Sequence, residues 1–255
     1  MNSKFCCIMY LRSDSVIKFL WYVYFGIYML FSMRFKVKLY FLKKKSPELA
    51  DDYAYEKLRE ISRHVIKKTN TKVIVKGIEN LIDEPCVLVA NHQGIFDAFL
   101  LFACIDKKLG FIAKKEILRV PLVGSWMKES KTIFIDRENP RQMVGSINAG
   151  IENIKLGYSM VIFPEGTRSL SSTMGEFKKG SMKLATKVGV PIVPITIDGT
   201  YRVLETGNKV RGNTIYLVVH TPIYTKDMAK EEQLNLTDKI YTIIGDELKE
   251  ISKNK

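Results

Sequence analysis

At 255 residues, 46% apolar and 26% charged, the chain has the composition of a globular protein long enough to bury a full core. Forty Lys and Arg against 27 Asp and Glu leave a formal charge of +13, a surface that attracts anionic membrane, nucleic acid or an acidic protein without choosing among them. Cys6, Cys7, Cys86 and Cys104 show neither CxxC spacing nor a disulfide framework, and His64, His92 and His220 lie too far apart for a zinc-ligand pattern, so a disulfide-stapled scaffold is excluded, no metal is expected and a reducing, cytosol-facing location fits.

The first predicted element is an uncharged run of 15 residues from Phe19 to Met33, FLWYVYFGIYMLFSM, with Lys18 before it and Arg34, Lys36 and Lys38 after it. At 1.5 Å per residue it would cover about 22 Å, short of the roughly 30 Å of hydrocarbon in a bilayer. Snorkelling of Lys18 and Arg34 extends its reach, so a single span and a tilted, shallow insertion both stay open. A cleaved signal peptide fits poorly, because no small-residue cleavage site follows and a basic segment ending in Lys43-Lys44-Lys45 does. Those lysines suit the anionic cytoplasmic leaflet.

Ser46-Pro47-Glu48 carries a hydroxyl N-cap, a proline for the first turn and an acid at the positive end of a helix dipole. Leu49, Tyr53, Leu58, Ile61, Val65 and Ile66 then recur at helical spacing, which predicts an amphipathic helix to about residue 68. That stripe either packs on the core or lies on a bilayer.

Beyond Thr71 strands and helices alternate. Strands are predicted at 73–75, 86–90, 111–113, 132–135, 158–163, 191–197 and 215–219, and helices at 98–105, 121–128, 141–156 and 227–251. The alternation favours one α/β domain with a mostly parallel sheet, preceded by a helical region, with boundaries at 1–70 and 71–255. In such sheets ligands collect beyond the carboxyl ends of strands, where His92, Arg137 and Glu165 fall.

Asn91-His92-Gln93-Gly94-Ile95-Phe96-Asp97 follows the second strand. A histidine and a carboxylate five residues apart meet neither on one helix nor on one strand, so the spacing needs a turn, which Gly94 permits. If they meet, Asp97 orients an imidazole that takes up a proton near neutral pH; otherwise the segment is a polar loop. Phe163-Pro164-Glu165-Gly166-Thr167-Arg168-Ser169 combines an acid, a glycine, two hydroxyls and an arginine in one tight loop, a composition suited to an anionic oxygen. Ile135-Asp136-Arg137 delivers a second arginine from a strand end, and Lys114 and Lys115 are cations between which the sequence does not decide.

Taken in order, NHQGIFD, FIDR, FPEGTRS and VPIVPI at 190–195 resemble the four motif blocks of the glycerophospholipid acyltransferase family. AKKEI, PLVG and FKKG strengthen the resemblance towards its bacterial 1-acylglycerol-3-phosphate acyltransferases. It covers about residues 73–197. The resemblance implies that family's fold, a membrane-docking amino terminus, and transfer of an acyl group from coenzyme A or acyl carrier protein to the sn-2 hydroxyl of a 1-acylglycerol 3-phosphate. His92 would be the base and Asp97 its partner. Glu165, Gly166, Thr167 and Arg168 would hold the glycerol phosphate, with Arg137 and Lys114 as further phosphate ligands. The thioester is a co-substrate, no cofactor is implied, and the oxyanion donors are expected among amides near Gly94 or Gly166.

A covalent serine hydrolase does not fit, since no G-x-S-x-G occurs. Glycerol 3-phosphate, another lysophospholipid or a lyso-aminolipid remain alternative acceptors. A non-enzymatic basic protein that docks on anionic membrane is the rival class. Aromatic residues gather in the apolar amino terminus instead of interleaving with lysines, which argues against nucleic acid.

Overall fold

The computed structural model describes residues 3–136, 140–207, 210 and 212–254, with side chains described except at 3–14 and 140–144. Helix α1, Ser3–Ser32, is 30 residues long and contains nearly all of the apolar run, and α2, Arg34–Lys45, follows after Met33. By length and composition, the stretch from Ser15 to Lys45 is long and apolar enough to cross a membrane, so the short run seen in the sequence, which makes up the second half of α1, belongs to a longer helical segment. One side of α1 is tied down: Met29 is buried, Trp21, Phe25 and Tyr28 pack on the core, and Phe25 meets Phe99 edge-on at 6.1 Å. Phe19, Leu20, Ile27, Leu30 and Phe31 on its other side stay more than half exposed.

Helix α3, Pro47–Lys68, begins as its sequence predicts, with the Ser46 side chain accepting from the Leu49 amide at 3.4 Å. Its stripe of Leu58, Ile61 and Val65 is buried in the core under the sheet and not turned to a bilayer. The helix before residue 70 therefore shares its core with the strands that come after it in the chain.

The remaining elements are β1 (Lys72–Lys76), β2 (Val87–Ala90), α4 (Phe96–Cys104), β3 (Leu109–Lys114), α5 (Val123–Glu129), β4 (Ile133–Ile135), α6 (Pro140–Lys155), β5 (Ser159–Ile162), α7 (Lys183–Val188), β6 (Ile192–Asp198), α8 (Tyr201–Leu204), β7 (Thr214–Val219) and α9 (Lys230–Lys253). Among the described residues the strands form one sheet of seven in the order β1-β7-β6-β2-β5-β3-β4. β6, β2, β5, β3 and β4 run parallel, whereas β7 is antiparallel to β6 and carries β1 parallel to itself.

Period-two alternation divides the core into two layers. Leu88 and Ala90 of β2 face α3 and α4, while Val87 and Val89 face α7 and α9. Leu236, Ile240 and Ile244 of α9 recur every four residues and are almost wholly buried, which holds the helix on the sheet at about 1.5–3 kcal/mol per side chain. The short helices α7 and α8 were not expected, since so few residues carry no helical period. β2 lies between β5 and β6, so the loops leaving these three neighbouring strands converge at one edge.

Candidate active site

Two residues bolt the segment after β2 to the end of β6. The Asn91 side chain donates to the Ile197 carbonyl and accepts from the Ile197 amide, both at 2.8 Å. Two residues on, the Gln93 side-chain oxygen Oε1 accepts from the Gly199 amide at 2.8 Å and its Nε2 donates to Asp198 at 3.1 Å. Between them stands His92, whose ring stacks on Phe163 with centroids 4.1 Å apart.

The expected meeting occurs. His92 Nδ1 lies 2.7 Å from Asp97 Oδ2, and the same oxygen accepts from the Gln93 amide at 2.7 Å and the Gly94 amide at 3.0 Å. Asp97 is wholly buried, and its Oδ1 has no partner among the described residues. With the carboxylate accepting from Nδ1–H, the neutral imidazole keeps its Nε2 lone pair, on a side chain one-fifth exposed.

Gly94 has a reason other than the one expected from its spacing. Its backbone is not in the left-handed region, so any residue could make the reversal. What a side chain would disturb is a close approach: a Cβ at 94 would stand 2.1 Å from Glu205 Oε2, displacing that carboxylate, and 3.3 Å from the Tyr201 backbone. The glycine admits α8 and the residue after it against the loop that carries His92.

The loop after β5 docks on the same segment through backbone bonds, Ser169 N–H to the His92 carbonyl at 2.8 Å and Leu170 N–H to the Gln93 carbonyl at 3.2 Å. This places Arg168 beside His92. Gly166 is in the left-handed region at φ 72°, and the Lys178 side chain packs against it. Thr167 is exposed. Glu165, expected to hold phosphate, is instead 5% exposed with both oxygens taken: Oε1 accepts from the His92 amide at 2.6 Å and Oε2 from the Gly175 amide at 2.7 Å. Burial pushes its carboxyl above the ordinary range despite these donors.

Arg168 pairs with Glu205 through Nη1, and Glu205 also accepts from the Ile95 amide at 3.2 Å. Lys114 ends β3 with its side chain more than half exposed and its ammonium 3.5 Å from Glu116, whereas Lys115 is paired with Asp136. Arg137 lies outside the described residues. Of the amides near Gly94 or Gly166 expected to include the oxyanion donors, those of the two glycines themselves are engaged, by Asp97 and by the Phe163 carbonyl at 3.0 Å. His64 and His220 lie elsewhere, bonded to Tyr24 at 2.6 Å and Thr196 at 2.8 Å.

The Acyltransferase family model matches residues 72–198 of this chain. The probable 1-acyl-sn-glycerol-3-phosphate acyltransferase of Mycoplasma pneumoniae is 32% identical over 186 residues, 68% of this chain and 70% of that protein. The chloroplastic 1-acyl-sn-glycerol-3-phosphate acyltransferase BAT2 of Brassica napus is 38% identical over 157 residues, 60% of this chain but only 45% of that longer protein. Among solved structures, the 1-acyl-sn-glycerophosphate (LPA) acyltransferase PlsC of Thermotoga maritima superposes with a TM-score of 0.79 over 94% of this chain and 97% of that one, at 23% identity, which shows a shared fold.

Proposed function

From the premise that this chain belongs to the acyltransferase family, we propose that it transfers an acyl group from a thioester to the sn-2 hydroxyl of a 1-acylglycerol 3-phosphate, making phosphatidic acid. The observation that carries the reading is the His92–Asp97 pair, with Nδ1 held at 2.7 Å and Nε2 left to accept a proton. The acceptor hydroxyl gives that proton to Nε2 as its oxygen attacks the thioester carbonyl. Asp97 stabilises the imidazolium that forms. Collapse of the tetrahedral intermediate expels the thiolate, which takes the proton back from Nε2, so ester and free thiol leave and the base is restored. No serine or cysteine nucleophile is required.

Arg168 supplies the cation for the acceptor's phosphate, since the bonds from Ser169 and Leu170 fix its loop against the segment that carries His92. Lys114 and Arg137 are further cations for that phosphate, and the donor is a coenzyme A or acyl carrier protein thioester. The exposed face of α1 and the lysines of α2 seat the chain in an anionic cytoplasmic leaflet. The lipid acceptor then reaches the site from the membrane side, because Lys18 of α1 donates to the Gly207 carbonyl at 3.0 Å, two residues beyond Glu205.

The test is a transfer assay on anionic vesicles with 1-oleoylglycerol 3-phosphate, glycerol 3-phosphate and a lysophosphatidylcholine as acceptors and both thioesters as donors. Phosphatidic acid should be the main product by mass spectrometry; its absence with every donor refutes the acceptor assignment. His92→Ala should bind the vesicles as the parent does and lose transfer, and full transfer by that variant would refute the base.

A further inference from the structure

We infer that Glu205 is a positioning residue that fixes the Arg168 guanidinium at a set distance from His92, so that phosphate binding and hydroxyl activation are held in register. The inference rests on the acceptor reading above.

Glu205 follows α8 directly and its side chain is only 11% exposed. One oxygen, Oε1, takes both the Ile95 amide at 3.2 Å and Arg168 Nη1. The other, Oε2, occupies the space that a side chain at Gly94 would fill. A single carboxylate thus touches the loop that carries His92 and the arginine that faces it. Burial raises the Glu205 carboxyl above its ordinary range, so the group is kept there against a desolvation cost that its two donors only partly offset.

The geometry leaves Arg168 usable. Only Nη1 is engaged, and Nε and Nη2 have no partner among the described residues. A guanidinium presents five donors in a planar fork, so one edge can rest on a carboxylate while another receives phosphate. Arg168 is itself 41% exposed on a loop and, untethered, would sample many rotamers. Tethering it in advance removes part of the ordering cost of binding. A carboxylate this close to the cation also weakens its pull on an anion, and the sign of the effect on KM shows which influence prevails.

Glu205→Gln isolates the tether: its amide oxygen still accepts from Ile95, while the charge facing Arg168 is lost. With 1-oleoylglycerol 3-phosphate, KM should rise about tenfold and kcat should fall by less than that, as expected when one charge-assisted hydrogen bond becomes a neutral one. In an Arg168→Ala background the same change should alter KM by less than about twofold, because the group it positions is gone. Isothermal titration of glycerol 3-phosphate into the full-length protein in detergent gives the same comparison without turnover. A KM or Kd that is unchanged or lower in Glu205→Gln, or an effect that persists undiminished without Arg168, overturns the inference. A parent protein that binds glycerol 3-phosphate through Arg168 yet acylates no lysophosphatidate would refute the reaction and leave the Kd comparison to decide Glu205.

Discussion

Replacing Asp97 by Asn should separate charge from geometry, because a single oxygen of Asp97 receives the bonds from His92 Nδ1 and the Gln93 and Gly94 amides. An asparagine that places its oxygen there keeps all of them, and its amide falls where Oδ1 already lacks a partner among the described residues. What is lost is the negative charge beside the imidazolium. At about 3 Å and an effective dielectric of about 20 that attraction is roughly 6 kcal/mol. The proton is only partly transferred in the transition state and the amide dipole keeps a share, so the loss should be about 3–5 kcal/mol, or about 10²–10⁴-fold in kcat. Stability should change by under about 1 kcal/mol. Asp97→Ala is the contrast: it leaves two amides, on the buried residues Gln93 and Gly94, without an acceptor, at about 1–3 kcal/mol each. Thermal unfolding and transfer rates on the same preparations decide the matter. Asparagine retaining more than a third of the parent rate, or as destabilising as alanine, would refute the reasoning.

Glu165→Gln should destabilise the protein by about 1–3 kcal/mol, because one carboxamide oxygen cannot replace the two oxygens that accept from the His92 and Gly175 amides. Burial raises the Glu165 carboxyl in the folded chain, so the folded state holds its proton to higher pH than the unfolded one. The associated stability is fully present below the unfolded value of about 4.3 and is lost as pH rises through the folded one. The gap between parent and variant should therefore narrow from pH 4 to pH 7 in denaturant titrations; a widening gap would mean that the amide bonds outweigh burial. Removing residues 1–45 should abolish flotation with anionic liposomes while leaving transfer to a short-chain soluble acceptor within about tenfold, since the His92 loop is bolted to β6 and not to α1. Unchanged flotation would refute the anchor.

The parts of the fold that the sequence discloses are those in which one physical signal repeats. β2 reads as a strand because VLVA is buried on both faces, and α9 reads as a helix because Leu236, Ile240 and Ile244 keep one period over several turns. The α3 stripe has the right period but two destinations, and period alone cannot distinguish a core from a bilayer; the contacts of Leu58, Ile61 and Val65 do. The reversed direction of β7 and β1 is likewise invisible, since a buried strand looks the same run either way.

At the site, the readable residues are those whose chemistry is carried by their own neighbours in the chain. His92 and Asp97 are five apart and meet across a single turn, so type and spacing suffice to nominate them. Glu165 is misread for the complementary reason: a carboxylate in a loop with arginine resembles a ligand-binding group, but its partners are amides at 92 and 175, which no local pattern marks. Glu205 leaves still less trace, 37 residues from Arg168 and 110 from Ile95 in the chain. Its one indirect sign is Gly94. The turn does not need a glycine there, and the space that its missing side chain leaves is filled by the Glu205 carboxylate.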